Sequence, residues 1–417
     1  MPNNWKIYKV GEFAKLRKEG IKPSDFNGEK YIGLEHIGQG NFLLDGIGDA
    51  SDVTSNKSKF VKGDILYGKI RPYFKKVYRP KFSGICSTDM LVINSSNEKI
   101  VTQNYLHQII KNQEFTDKAT ETSTGTKLPR ADWNSLKLWE LNLPPLPEQK
   151  AIANILSTID DKIENNLAVN KTLEDMAMAL YKHWFVDFGP FQDGEFIDSE
   201  LGLIPKGWEV KYIKELFAIK PINGLYKKKE FQGSGNRWLK MKSVYGIDII
   251  TNEDMELIQV NKKEVNKYGC KKNDIVFGRT SLVLEGIGTC AIIKSNINIA
   301  VFESNLFRFR FDENLVIPDL MFLFFKSPTG RENVKKLARQ TAAVSITSSD
   351  VSEIKIALPN IEKQMEFGSQ IERFIEKIVS NKEENQSLTK LRDTLLPKLI
   401  SGEVRLKEFQ EEIENVM

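Results

Sequence analysis

At 417 residues the chain is too long for one ordinary core and suits two or three domains. Lys and Arg number 60 against 56 Asp and Glu, a net charge of +4, so affinity for nucleic acid must come from local clustering of charge, not from an overall basic field. The start lacks the apolar core of a signal peptide, the longest apolar run (320–325) is far too short to cross a bilayer, and three scattered cysteines (Cys86, Cys270, Cys290) lack metal-site spacing; together these predict a cytoplasmic protein with buried thiols, no disulfide and no zinc.

Residues 1–147 mix short strand and helix signals, as expected of an α/β or α+β domain. Trp5-Lys6-Ile7 opens this part. Lys62-Gly63-Asp64-Ile65-Leu66-Tyr67-Gly68-Lys69 reads as a turn, a short apolar strand, and a glycine that frees the backbone before a basic residue. No acidic residue occurs between Asp64 and Asp89, while Lys69, Arg71, Lys75, Lys76, Arg79 and Lys81 interleave with Tyr67, Tyr73, Phe74 and Tyr78. Cations neutralise phosphates, and arginine can also contact guanine in two-pronged fashion in the major groove. We therefore take Lys69, Arg71, Tyr73, Lys75, Lys76 and Arg79 as candidate DNA contacts; a solvated basic hairpin has the same composition. The polar loop 122–127 adds Thr126 and Lys127, since small hydroxyl residues and glycine let a backbone approach phosphates closely. A plain surface turn is the alternative.

From 148 to 195 the apolar positions advance by threes and fours, the pattern of a helix burying one narrow stripe against another helix. Leu143-Pro144 precedes it and Gly189-Pro190 ends it. Its stripe includes Ile159, Ile163, Asn166 and Asn170, with Trp184 and Phe185 near the end, the latter two suited either to docking a partner or to packing within the chain.

The region 196–358 repeats the first part faintly. Trp208-Glu209-Val210 matches Trp5-Lys6-Ile7, and Lys272-Asn273-Asp274-Ile275-Val276-Phe277-Gly278-Arg279 matches the segment from Lys62 to Lys69. Candidate DNA contacts here are Lys227, Lys228, Arg237, Lys240, Lys242 and Arg279, then Arg339 and, in a polar loop before the next helix, Ser345. Any single lysine among them also fits a solvated surface charge.

The last region, 359–417, makes the duplication plain. Leu143, Pro144 and Gln149 recur as Leu358, Pro359 and Gln364, and the register then holds without a gap: Ile159 becomes Phe374, Ile163 becomes Ile378, Asn166 becomes Asn381 and Asn170 becomes Asn385. Two asparagines in each apolar stripe weaken it and fix register. Facing each other they could hydrogen-bond in either relative direction, and the sequence does not choose.

No phosphate-binding loop and no Gly-x-Gly-x-x-Gly fingerprint is present. Leu143-Pro144-Pro145-Leu146 lacks the amide and the ring of an amino-methyltransferase tetrapeptide, and the isolated His36, His107 and His183 argue against metal or triad chemistry. These patterns predict a chain with no catalytic and no metal site. A duplicated reader joined by helical spacers suits a partner with two separated, unlike half-sites, and duplex DNA is the commonest such partner.

The segments from Tyr181 to Phe188, from Leu203 to Trp208 and from Leu395 to Val404, with the Leu-Pro-x-x-x-x-Gln before each helix, resemble the specificity subunits of Type I restriction-modification systems. The resemblance spans the chain. It implies a target-recognition domain at 1–147, a central conserved helical region at 148–195, a second recognition domain at 196–358 and a C-terminal conserved helical region at 359–417. It further implies an internal pseudo-two-fold repeat in which the two helices form an antiparallel coiled coil. Each domain would read one half of a bipartite asymmetric site, with the helices as a ruler; 148–184 would be about 55 Å long at ~1.5 Å per residue. The implied partners are double-stranded DNA, two methyltransferase subunits and the restriction subunits of the full complex. S-adenosylmethionine, ATP and Mg would belong to those partners and none to this chain. The alternative reading is an orphan sequence-specific DNA-binding protein acting without methyltransferases.

Overall fold

A computed structural model describes residues 4–125, 127–246, 248–251, 255–295, 300–340 and 344–406. The chain divides into two compact units, Met1–Glu164 with Ser387–Met417, and Asn165–Gln386. Both are mixed α and β. Two long helices, Leu146–Phe185 and Ile361–Ser401, each contribute residues to both units. Among the described residues no helix is long and apolar enough to cross a membrane.

In the first unit an antiparallel sheet runs in the order Ala14–Leu16, Met90–Ser95, Ile65–Gly68, Val77–Tyr78. Ile65–Gly68 is central and wholly buried, which is why its sequence is a continuous apolar run and not an alternation. A second, five-stranded sheet follows Gly20–Ile21, Lys57–Phe60, Gly84–Cys86, Lys30–Ile32, Gly48–Asp49. The helices Gln103–Lys111 and Gln113–Glu121 cover the first sheet, so that Tyr67, Ile93, Tyr105, Ile109 and Phe115 share one core with Ile152, Leu156, Ile159 and Ile163 of the first long helix and Leu395, Leu396 and Leu399 of the second. Lys111, fully buried, is bonded to Asp160, which Arg392 also approaches at 3.4 Å; the Lys111 ammonium and the Arg392 guanidinium both lie over the Phe42 ring. That pairing with Asp160 gives the buried cation a partner.

In the second unit the main sheet runs Phe217–Asn223, Leu306–Phe311, Ile275–Gly278, Cys290–Ile293, Ile249–Ile250, the last pair parallel. Phe277, Phe307, Phe309 and Phe325 pack ring against ring at its centre, under the helix Pro318–Lys326. A three-stranded sheet runs Glu256–Ile258, Gln232–Leu239, Ala300–Phe302, the first pair antiparallel and the second parallel.

The paired motifs read from the sequence have the same local role in each unit. Asp64 accepts from the Val61 N–H (3.0 Å) and is clamped by Arg17 at 2.7 and 3.3 Å. Asp274 accepts from the Lys271 N–H (2.7 Å) and is clamped by Arg310 at 2.6 and 2.6 Å. The preceding Gly63 and Asn273 have φ of 91° and 71°, a left-handed turn that glycine and asparagine tolerate best. Gln149, buried at the head of the first long helix, donates to the carbonyls of Ile100 (2.7 Å) and Pro144 (3.0 Å) and accepts from the Thr102 N–H (3.1 Å). Gln364 donates to Leu315 (3.3 Å) and Pro359 (2.9 Å) and accepts from the Ile317 N–H (3.2 Å). The Leu-Pro-x-x-x-x-Gln motif is therefore a latch between a long helix and the loop that starts a shorter helix of the same unit.

Within the second unit Asn166 donates to Asn385 (2.9 Å) and Glu384 (2.8 Å), and Asn381 donates to Asn170 (2.8 Å). Residue numbers rise along one helix as they fall along the other, the direction left open by the asparagine spacing. Ile371, Ile375 and Ile378 are buried, whereas Phe374, aligned with Ile159 by the repeat, packs half-buried at the margin. Trp184 is buried and Phe185 half-buried among Phe367, Phe191 and Trp208 with centroids 4.9–6.0 Å apart, so of the two roles considered for them the structure displays internal packing. The three cysteines are buried, and burial pushes the thiols of Cys86 and Cys290 up to about 12.

Candidate nucleic-acid interface

The basic run of the first unit divides into side chains that face outward and side chains that hold the fold. Lys75 lies over Phe42 at 5.4 Å and reaches Gln113 at 3.2 Å; Lys76 donates to the Leu34 carbonyl at 2.5 Å; Arg79 donates to the Gly63 carbonyl (3.2 Å) and to Asn104 (2.8 Å). Burial pushes the Lys75 ammonium and the Arg79 guanidinium below their ordinary values. Lys81 pairs with Asp161 and Glu164 at 2.9 and 2.7 Å. These charges are already engaged inside the unit.

Lys69, Arg71 and Tyr73 are different. Arg71 is exposed with a left-handed backbone (φ 49°), held by its N–H donating to the Pro129 carbonyl at 2.7 Å, and its guanidinium lies 5.9 Å from the Phe74 ring. For a residue other than glycine that backbone costs about 1–2 kcal/mol, and such strain gathers where a side chain must be aimed. Tyr73 is 50% exposed against Phe74. The polar loop comes to the same place: Ile70 and Thr124 both bridge Arg130, and the Ala131 N–H donates to the Lys69 carbonyl at 2.9 Å. Lys127 is exposed there, and Thr126 lies outside the described residues. Two stretches 60 residues apart in sequence thus meet on one side, carrying the exposed Arg71, Lys127 and Arg130, the last 3.7 Å from Asp89, beside the half-buried Lys69.

The second unit builds a matching arrangement from a small sheet, Thr280–Ser281, Val344–Ser345, Arg339–Gln340. The Ile346 N–H donates to the Arg279 carbonyl at 3.0 Å, and the Arg279 side chain donates to the Ser304 carbonyl at 2.9 Å while its Nε is buried without a partner among the described residues. Arg339 pairs with Asp350 at 2.9 Å. Arg279, Arg339 and Ser345 are thereby brought together. Lys227, Lys228, Arg237, Lys240 and Lys242 lie apart, around the three-stranded sheet: Lys240 and Lys242 share Glu256 at 2.9 and 2.8 Å, Lys227 pairs with Glu264 at 2.9 Å, Arg237 sits on the central strand and Lys228 is exposed. Lys242 and then Lys240 hold the Glu256 carboxyl below its usual range. Charge-based reading passed over Tyr226, 76% exposed and next to Leu225, whose carbonyl accepts from Ser304 at 3.1 Å, and over Leu282, 95% exposed beside the Arg279 strand. Neither carries charge, so only exposure reveals them.

The histidines lie apart: His36 accepts from the Gly33 N–H at 3.0 Å, His107 is half-buried with its Nε2 out of contact with solvent, and His183 is exposed at a helix end. Among the described residues no three His, Cys, Asp or Glu side chains cluster as a metal site requires.

A family model described as Type I restriction modification DNA specificity domain matches the chain twice, over residues 2–175 and 205–390. The chain belongs to this family. It is 26% identical to the Type I restriction enzyme HindI specificity subunit of Haemophilus influenzae, covering 96% of this chain and 100% of that one. It is 28% identical to the Type I restriction enzyme MjaVIII specificity subunit of Methanocaldococcus jannaschii, over 98% and 95% of the two chains. In fold it is similar to the Type I restriction-modification system S subunit from M. genitalium, with a TM-score of 0.58 at 17% identity over 96% of this chain and 97% of that one. The resemblance carried by the helix-flanking motifs is thus a family membership.

Proposed function

We propose that this chain is the DNA sequence-recognition subunit of a Type I restriction-modification complex, each recognition domain reading one half of a bipartite asymmetric site. The observation that carries the reading is the double match to a DNA specificity domain, with a cationic strand end and a polar loop joined on one face in each copy. The two domains are an internal pseudo-two-fold repeat, and the two long helices are an antiparallel coiled coil whose asparagine layers fix register and hence the spacer between half-sites. Base contacts come from Arg71 and Tyr73 in the first domain and Arg279 and Ser345 in the second; Lys69, Lys127 and Arg339 neutralise phosphates. The exposed sides of the helices dock two methyltransferase subunits, and restriction subunits complete the assembly. This chain is non-catalytic: S-adenosylmethionine, ATP and Mg are held by the partners, and the complex works in the cytoplasm.

The test is to co-express the chain with the adjacent methyltransferase gene and map methylated adenines across the host genome, with the subunit present and deleted. Loss of one bipartite asymmetric motif on deletion is expected. An unchanged methylation pattern refutes the reading.

A further inference from the structure

We infer that Leu282 is a base-reading side chain of the second recognition domain, an apolar probe for the 5-methyl group of thymine in the major groove; this rests on the DNA-recognition reading above. Single exposed leucines are ordinary on protein surfaces. This one stands two residues beyond Thr280 on the small sheet that Arg279 leads into. Leu282 is 95% exposed and Val283 58%, immediately after the strand Thr280–Ser281 that follows Arg279 and pairs with Val344–Ser345.

The tip is held, not loose. The Val283 N–H donates to Ser281 Oγ (3.2 Å), the Gly286 N–H donates to the Val283 carbonyl (3.2 Å), and the Tyr245 hydroxyl donates to the Thr280 carbonyl (2.8 Å). A Cβ at Gly286 would lie 2.4 Å from Ser281 Oγ, so the turn packs closely against the strand that precedes it. A rigid turn that points an aliphatic side chain into solvent gains nothing for the fold, but it lowers the ordering cost of a contact made on binding.

The occupant follows from the neighbours. Arg279 and Arg339, the latter paired with Asp350, lie on the same small sheet, whose strand Thr280–Ser281 is its edge, paired with Val344–Ser345, and the major groove admits secondary-structure elements of this size. Along that groove the base edges offer donors, acceptors and one apolar group, the thymine methyl.

The experiment uses the full chain in its methyltransferase complex and duplexes carrying the mapped site, with each thymine in turn replaced by uracil, which lacks only the methyl. At one thymine position uracil should weaken wild-type binding about fourfold, the factor corresponding to burial of one methyl-sized group. Leu282→Ala should bind the thymine duplex about fourfold more weakly and be indifferent to uracil at that position, while Leu282→Met keeps the preference. Wild-type indifference to uracil at every position overturns the proposal, as does a Leu282→Ala variant that keeps the wild-type preference or weakens all duplexes equally. A rise in 2-aminopurine fluorescence without any uracil effect overturns it in favour of a wedge between base steps. Failure of the wild-type complex to select the site at all would instead remove the DNA-recognition reading on which it rests.

Discussion

Replacing Gln364 with alanine deletes three hydrogen bonds at once from a buried junction: those to the carbonyls of Leu315 and Pro359 and that from the Ile317 N–H. Each is worth about 1 kcal/mol net, and the groups left behind are desolvated, so the local loss should be about 3 kcal/mol. Ile317 is the N-cap of the helix Pro318–Lys326, so opening of the latch frees the start of that helix. The readout is hydrogen exchange of the Ile317 amide in the full chain under native conditions, where about 3 kcal/mol corresponds to roughly hundredfold faster exchange. Gln149→Ala should do the same to the Thr102 amide in the other unit, because it removes the corresponding three bonds. An acceleration below about threefold in both variants would show that the glutamines are not latches and would refute the reasoning.

Arg71→Ala and Arg79→Ala should separate the outward face from the scaffold. The first should weaken site binding by about 1–3 kcal/mol and relax specificity at one base position, with an unchanged melting temperature; the second should lower stability by about 1–3 kcal/mol through its lost bonds to Gly63 and Asn104. Equal effects of the two on DNA binding at matched salt would contradict this division. Asn381→Leu alone strands Asn170 and should destabilise the helix pair, whereas Asn170→Leu with Asn381→Leu should restore or exceed wild-type stability, since each asparagine also has a buried polar atom without a partner among the described residues. Additive losses in a double-mutant cycle by thermal melting would argue against the pairing. His107 is held well below the ordinary histidine value by burial, then by Lys111 and Arg79. The folded state therefore stays neutral there while the unfolded chain takes a proton, so stability falls as pH drops below about 6.5. His107→Asn should flatten urea midpoints between pH 7.5 and 5.5; a slope equal to that of the wild type would disprove it.

The long helices and their duplicated lead-ins were legible because helix periodicity and the Leu-Pro-x-x-x-x-Gln spacing are local properties of the chain. Sheet order was not, since partners such as Ile7 and Asn142, or Trp238 and Val301, are set by contacts distant in sequence. The candidate face was half legible. Composition marked the basic run from Lys69 to Lys81, but it could not tell Arg71, aimed outward by a left-handed backbone, from Lys76, drawn to the Leu34 carbonyl 42 residues away. Residues whose role depends on exposure alone, Tyr226 and Leu282, leave no mark in a charge pattern. Phe374 shows a limit of repeat alignment: the duplicated register aligns it with Ile159, yet the buried position at that turn is Ile375.

The division of the chain into units has a consequence for synthesis. Asn165–Gln386 is one unbroken stretch, whereas the first unit needs Leu395, Leu396, Leu399 and Ile400 to complete a core begun before residue 164. On the ribosome the second unit has all its residues while the first still lacks part of its interior. The half translated first is finished last. A premature stop near residue 390 would therefore spare the downstream domain and leave the upstream one with an open core, so nonsense changes late in the gene should expose the N-terminal half to proteolysis before the central part.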